Sequence, residues 1–316
     1  MIAPSTFSTS RRLWAIVAVA LLLCCVAPWM LDAYGLGVCI QLFGWIALTG
    51  SWAAFSGLTG YTSLGHAVFY GLGAYVMALG WQEASLWLVL PAAGLVAGGF
   101  ALIVGYPALR VRGPYFVILT LGISEFVKYV VVAIEAGLGA SGRLLLGAPE
   151  PVEIFYPMLG LAVAATLINV LLGRSRFGAA LHAIREDETA AATLGVPTTL
   201  CKLLAFGLSA VIPGMVGALS VLRSTYFEPM QLFSPTTSFT IVTMAIIGGS
   251  NRPAGPVLGA MFIVLLSELL WARAPQMYLI LLGVLLIGFV LFAPTGVYGK
   301  LVELSQRRRV ASGVRP

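Results

Sequence analysis

Charge is scarce in this chain. Only 9% of its 316 residues are Asp, Glu, Lys or Arg, against roughly 25% in soluble domains. A water-soluble body is thereby excluded, because it could not hide an apolar content of 59%. Lysine occurs only at positions 128, 202 and 300. None stands in a GxxxxGK[ST] phosphate loop, so the chain does not hydrolyse ATP through that motif. His66 and His182 are the only histidines and lie in unrelated segments, which excludes HExxH and His-rich metal sites. No serine sits in a GxSxG elbow. The four cysteines, Cys24, Cys25, Cys39 and Cys201, form no CxxC pair. They read as small packing residues rather than disulfides or metal ligands. No enzyme activity and no cofactor is expected. Linkers, low-complexity runs and a soluble domain are also lacking.

Apolar runs of about 18 residues or more recur along the chain, which is the signature of transmembrane helices. Barrel strands would be shorter and half polar. The 36 glycines fit helices that approach closely in lipid. Ten spans are expected, at 13–31, 36–56, 66–81, 86–108, 114–136, 154–173, 202–222, 237–249, 256–272 and 277–293. The eighth is too short for a straight crossing of a ~30 Å core, so it is a half-helix or it starts earlier. Arg11-Arg12 before Leu13–Met30 has the outline of a signal peptide. The length of the run, with no small-x-small site after Trp29, favours a retained span.

With the N-terminus inside and the spans alternating, 14 of the 18 basic residues fall on the inner side. Arg143, Arg223 and Arg273 fall outside, and Lys128 lies within a span. This bias supports cytoplasmic termini. The formal charge of +6 is read as topological rather than as nucleic-acid affinity. The expected organisation is a cytoplasmic N-terminus (1–12), a transmembrane permease body (13–299) with a cytoplasmic loop (174–201), and a basic cytoplasmic tail (300–316) near anionic lipid.

Two segments break the apolar pattern. Glycines at 57, 60, 65, 71 and 73 run through a stretch that also holds Thr59, Thr62, Ser63 and His66. A second Gly/Pro segment spans 247–259. Broken backbone in a membrane is tolerated where it is buried in protein or lines a watery path. Paired interruptions point to a transport path, and tight turns between packed helices explain either one alone. In the fifth span Glu125 and Lys128 stand three residues apart, on one helical face, with Thr120 and Ser124 nearby. Charge at mid-bilayer is expensive. The pair is expected to shape the path or fix packing rather than to bind ligand directly. Glu268 lies near the outer end of its span and is expected to snorkel or to pair, with Arg273 as a candidate.

Between Gly173 and Thr199 the chain turns polar. The segment holds Arg174, Arg176, Arg185, Glu186, Asp187 and Glu188 between apolar runs. The absence of proline and the abundance of alanine predict a helix over 177–194. Ala180, Ile184, Ala191 and Leu194 can form one apolar stripe. Gly195 and Pro197 stop the helix. Its acidic cluster argues against the anionic membrane surface and for docking into a soluble partner.

Four blocks resemble the permease subunits of branched-chain amino acid ABC importers, the M-type subunit in particular. They are GYTSLGHAVFYGLGAY at 60–75, LRVRGPYFVILTLGISE at 109–125, SRFGAALHAIREDE at 175–188 continuing through Leu194-Gly195 to KLLAF at 202–206, and GGS at 248–250 with GPVLGA at 255–260. Together they run over about residues 35–300. The resemblance implies a bacterial inner-membrane importer with two permeases, the second a related H-type chain. It also implies two ABC ATPase subunits and a periplasmic or lipid-anchored substrate-binding protein. Arg176, Arg185, Glu186, Asp187, Glu188, Leu194 and Gly195 match the loop that engages the ATPase. Thr62, Ser63, His66, Thr120, Ser124, Glu125 and Lys128 are the candidates for the translocation path. The stretch from Gly249 to Pro253 departs from the glycine-rich pattern more usual there.

The expectation is therefore an all-α polytopic membrane protein of about eight to ten transmembrane helices, with Gly-rich half-helix segments and a cytoplasmic coupling helix. Its expected role is ATP-driven uptake of branched-chain or related amino acids. Urea, short amides, sugars and nucleosides are alternative substrates of similar permeases. An ion-coupled secondary carrier using Glu125 or Glu268 is the rival mechanism, but it leaves the polar helix unexplained.

Overall fold

A computed structural model describes residues 11–271, apart from 140, 141, 146, 148, 225, 251 and 252, together with 280, 283, 284, 287 and 288; of residues 11–20 and 270–271 it describes the backbone only. The expectations for the tenth span, Arg273, residues 1–10 and the basic tail lie outside these residues or almost wholly so.

The helices follow the apolar runs. They are α1 (Arg11–Met30), α2 (Ala33–Trp52), α3 (His66–Gly80), α4 (Leu86–Ala108), α5 (Pro114–Gly137), α6 (Pro151–Arg174), α7 (Arg176–Glu186), α8 (Glu188–Thr193), α9 (Thr198–Val221), α10 (Pro229–Leu232), α11 (Pro235–Gly248) and α12 (Ala254–Trp271). A π-helical turn, Ala53–Gly57, prolongs α2. Among the described residues six stretches are long and apolar enough to cross a membrane, and Leu21–Met30, His66–Gly80 and Ala254–Leu269 are shorter apolar helices. The protein is thus an all-α polytopic membrane protein. Its small departure is one antiparallel pair of two-residue strands, β1 (Arg143–Leu144) and β2 (Tyr226–Phe227). The eighth expected span does start earlier. It begins at Pro235, and with the α10 turn before it the apolar stretch runs from Pro229 to Gly248.

Helix α9 is the hub, packed on α2, α3 and α4. Small residues let the backbones touch. A Cβ on Gly73 would lie 1.8 Å from the Gly214 carbonyl oxygen, and one on Gly217 would lie 1.9 Å from that of Tyr70. Where lipid supplies no hydrophobic drive between helices, such close packing and interhelical hydrogen bonds hold them. Two bonds of that kind fix α2. Asn169 Nδ2 donates to the Gly50 carbonyl at 2.5 Å, and Ser51 Oγ donates to that of Ser209 at 2.6 Å.

The alternation of the helices sorts the connections to two ends. One end gathers the α2–α3 interruption, the α4–α5 turn, α7, α8 and the α11–α12 turn. The opposite end holds β1, β2 and the ion pair of Arg143 Nε with Glu135 Oε1 at 2.8 Å. There Glu268 accepts a hydrogen bond from the Tyr34 hydroxyl, joining α12 to α2.

Candidate functional site

The polar segment folds as an elbow of two helices, not as the single helix over 177–194 that its composition predicts. Asp187 is extended, at φ −156° and ψ 109°, and its Oδ1 accepts from the backbone N–H groups of Thr189 (2.8 Å) and Ala190 (3.0 Å). Aspartate is a poor helix-interior residue and a strong N-cap. One residue therefore ends α7 and starts α8. Upstream, Ser175 Oγ accepts from Gly178 N–H at 2.9 Å and caps α7. The turn there is tight, since a Cβ on Gly178 would lie 1.7 Å from the Leu172 carbonyl oxygen. Downstream, Gly195 has φ +85°. The Val196 and Gly195 N–H groups donate to the carbonyls of Ala191 and Ala192, closing α8 with a Schellman motif.

The break changes the apolar stripe. Leu181, Ile184 and Ala191 are buried against the body, but Leu194 is 83% exposed. Arg176, Glu186 and Asp187 are exposed too. Glu188 turns inward. Its Oε1 accepts from Lys202 Nζ at 2.7 Å, its Oε2 accepts from the Tyr61 hydroxyl at 2.5 Å, and Arg112 Nη2 lies 3.6 Å from Oε1. Burial alone raises a carboxyl, but the hydrogen bonds from Lys202 and Tyr61 and the charges of Lys202 and Arg112 hold Glu188 below its usual value. Burial, with the bond to Glu188, pushes the Tyr61 phenol up. Arg185 Nη1 donates to the Gly57 carbonyl at 2.6 Å.

A groove of about 630 Å³ lies between the elbow and the body. Thr59–Thr62, Arg112–Pro114, Ile184, Arg185 and Glu188 are among its walls. Thr62 is thus the one path candidate that lines it.

The interruption itself is built into the protein. Trp52 Nε1 donates to the Ser63 carbonyl (2.8 Å), and the Leu64 N–H donates to Thr120 Oγ1 (3.1 Å). Ser63 Oγ accepts from the Gly65 N–H at 3.2 Å, and the Ala67 N–H donates to Ser238 Oγ at 3.0 Å. Ser63 and His66 are fully buried. Among the described residues neither ring nitrogen of His66 has a hydrogen-bond partner, and neither does Ser124 Oγ. Glu125 and Lys128 form an ion pair at 2.5 Å, Lys128 buried and Glu125 one-third exposed. They stand on α5, the least buried of the six long apolar helices. The structure therefore joins Ser63 and Thr120 around the interruption and puts the Glu125–Lys128 pair further along α5.

Tyr61, Lys202 and Arg112 were not candidates on sequence grounds. Lys202 and Arg112 counted as topological charge and as members of the family blocks, with no site role. The available signal was a lysine among Cys201, Leu203 and Leu204, where burial demands a partner.

A multi-pass helical body with a paired interruption and a capped elbow at one end is the architecture of a membrane permease. Residues 36–290 match the family described as branched-chain amino acid transport system / permease component, and the chain belongs to that family. It is 29% identical to the high-affinity branched-chain amino acid transport system permease protein LivM of Salmonella typhimurium, over 88% of this chain and 73% of that one. The LivM protein of Escherichia coli K12 gives the same figures. The autoinducer 2 import system permease protein LsrC of Klebsiella pneumoniae is 29% identical over 62% of this chain and 60% of its own. No solved structure matches.

Proposed function

We propose that the chain is the permease subunit of an ABC importer for branched-chain or related amino acids, working in a bacterial inner membrane. A related second permease, two ATPase subunits and a binding protein complete the machine. The observation that carries this is the elbow. It is capped at every end, braced against the body, and presents Arg176, Glu186, Asp187 and Leu194 to solvent. A rigid knob that exposes an apolar side chain among charges of both signs suits a groove on a soluble partner. The positive-inside bias supports a cytoplasmic position for this end and for both chain termini.

Glu125 supports the second permease. Its side chain is one-third exposed, yet Oε1 is buried and has no hydrogen-bond partner among the described residues, and an unsatisfied carboxylate oxygen near the middle of a membrane helix is costly. It suits a protein–protein seam or a watery path. Loaded binding protein would meet the opposite end, where the loops around 137–153 and 223–236 are tied together by β1 and β2.

Affinity capture from mild detergent tests the reading. Wild type should retain an ABC ATPase, and a Leu194→Asp/Glu186→Arg double variant should lose it while staying monodisperse. An intact wild type that captures no ATPase would shift the reading to a secondary carrier. The likeness to an autoinducer 2 import permease gives autoinducer 2 a specific basis as a second substrate candidate. The ligand of the cognate binding protein decides between the two substrate classes.

A further inference from the structure

The exposed part of the elbow and its buried part do different jobs. Glu188 is the first residue of α8, and each of its carboxylate oxygens already has a close donor: Lys202 on Oε1 and Tyr61 on Oε2. Its side chain is 13% exposed. A carboxylate engaged on both oxygens from within is poorly available to an outside partner. Lys202 is 2% exposed. Its ammonium donates to Glu188 Oε1 (2.7 Å), to the Tyr61 hydroxyl (3.1 Å) and to the Leu109 carbonyl (3.3 Å). An ammonium has three donors, and each has an acceptor here. Those acceptors belong to α8, to the α2–α3 interruption and to the end of α4, while the lysine itself belongs to α9. Four elements thus meet at one cation, in surroundings where its hydrogen bonds are strengthened by burial.

Arg185 adds a second tie. Its bond to the Gly57 carbonyl meets the end of the π-helical turn, where helix carbonyls lack intrahelical partners. Its side chain lies along the interruption, with Cγ 3.1 Å from where a Cβ on Gly60 would be. The groove beside these contacts leaves room for the elbow to tilt. Beyond Tyr61 the interruption runs into α3 and is bonded to α5 through Thr120 and to α11 through Ser238.

We infer that Tyr61 and Lys202 are positioning residues for transport. With Glu188, they form a buried joint that delivers elbow movement to the α2–α3 interruption, and Glu188 does not serve as an ATPase-docking residue. The inference rests on the proposed function, in which the elbow receives the ATPase. It assigns the route of coupling to the start of α3, in addition to the chain continuity of α6 and α9 on either side of the elbow.

The test uses the reconstituted complex of permeases, ATPases and binding protein in liposomes. The variants are Glu188→Gln, Lys202→Met, Tyr61→Phe and the charge reversal Glu188→Lys/Lys202→Glu, with Leu194→Asp as the docking control. Two quantities are read: ATPase subunit retained, and substrate moved per ATP hydrolysed. Glu188→Gln and Lys202→Met should retain the ATPase yet lose at least about tenfold in substrate per ATP, within the usual span of coupling energies. Charge reversal should recover part of that loss, and Leu194→Asp should lose the ATPase itself. Should Lys202→Met fail to fold, Tyr61→Phe removes one hydroxyl without changing the packing and reads the same ratio. Release of the ATPase by Glu188→Gln would make Glu188 a docking residue and overturn the inference. So would an unchanged ratio in both Glu188→Gln and Tyr61→Phe. Wild type without bound ATPase would overturn the functional reading instead.

Discussion

The carbonyl oxygen of Ser250 lies 2.7 Å from where a side chain on Gly57 would begin. The two interruptions that stand far apart in sequence are therefore in contact, the end of the α2 π-helical turn against the α11–α12 turn. Gly57→Ala must push them apart, and the displaced atom would be backbone, which yields poorly. Elsewhere a helical Gly→Ala change gains about 0.5–1 kcal/mol. Gly57→Ala is expected to lower the melting temperature in detergent and to reduce uptake. Gly99→Ala, where a Cβ would meet nothing within 4 Å, should leave both unchanged or raise stability slightly. Equal melting of the two variants would show that the contact has no weight.

Stability should also be concentrated at the α3–α9 crossing. A Cβ on Gly73 or Gly217 would fall within 2 Å of a backbone oxygen on the facing helix. Overpacking in a tight core costs about 1–3 kcal/mol, and here no flexible side chain can move aside. Gly73→Ala and Gly217→Ala should cut the yield of monodisperse protein strongly. Gly160→Ala on α6, open within 4 Å, should not.

Most of the spans were legible because apolar runs in lipid have few alternatives to helix. For the expected spans that became α2–α6, α9, α11 and α12, expected and observed ends agree within four residues. The elbow was half legible. Its position, its apolar faces at Ile184 and Ala191 and its stop at Gly195 follow from sequence. Its break does not, because alanine on both sides of Asp187 argues for an unbroken helix and only the cap geometry overrides that. Leu194 went to the wrong face for the same reason, since the break at Asp187 rotates α8 relative to the stripe of α7. Arg185 and Glu188 could be seen as charges near the elbow, but not that they turn inward. That depends on Tyr61 and Lys202, which are remote in sequence and meet them only after α2, α4 and α9 have packed.

Acid should loosen the elbow in two steps. Burial, then the nearby Arg185, lower His182 from 6.5, with Glu186 opposing. The fold thus prefers the neutral ring, so this contribution is complete above pH 6.5 and is lost as pH falls below it. Glu188, faced by Lys202, Tyr61 and Arg112, is lowered from 4.5. Its contribution is present above pH 4.5 and is lost as pH falls through the lower folded value. Amide exchange across residues 176–195 should therefore quicken first on mild acidification and again in stronger acid. His182→Asn should remove the first step and keep the second. A single step unaffected by that substitution would rule out His182.

The Glu125–Lys128 pair separates a structural role from a transport role by comparing single and double variants. Lys128 is buried and Glu125 is one-third exposed. Its worth lies between that of exposed pairs, about 0–1 kcal/mol, and the roughly 3–5 kcal/mol lost when one partner of a buried pair is removed. An intermediate loss of about 2 kcal/mol is expected for Glu125→Gln, which leaves the Lys128 ammonium buried without its counter-ion. Lys128→Met leaves the Glu125 carboxylate without its counter-ion, its Oε1 buried and lacking a hydrogen-bond partner among the described residues, and should cost a similar amount. The double variant should be more stable than Glu125→Gln alone, because the orphaned cation is gone. Uptake decides the role. If the pair only fixes packing, the double variant recovers transport along with stability. If the carboxylate lines the path at the seam between permeases, the double variant stays slow in transport although it melts like wild type, and Glu125→Gln and the double variant share the same defect in substrate moved per ATP.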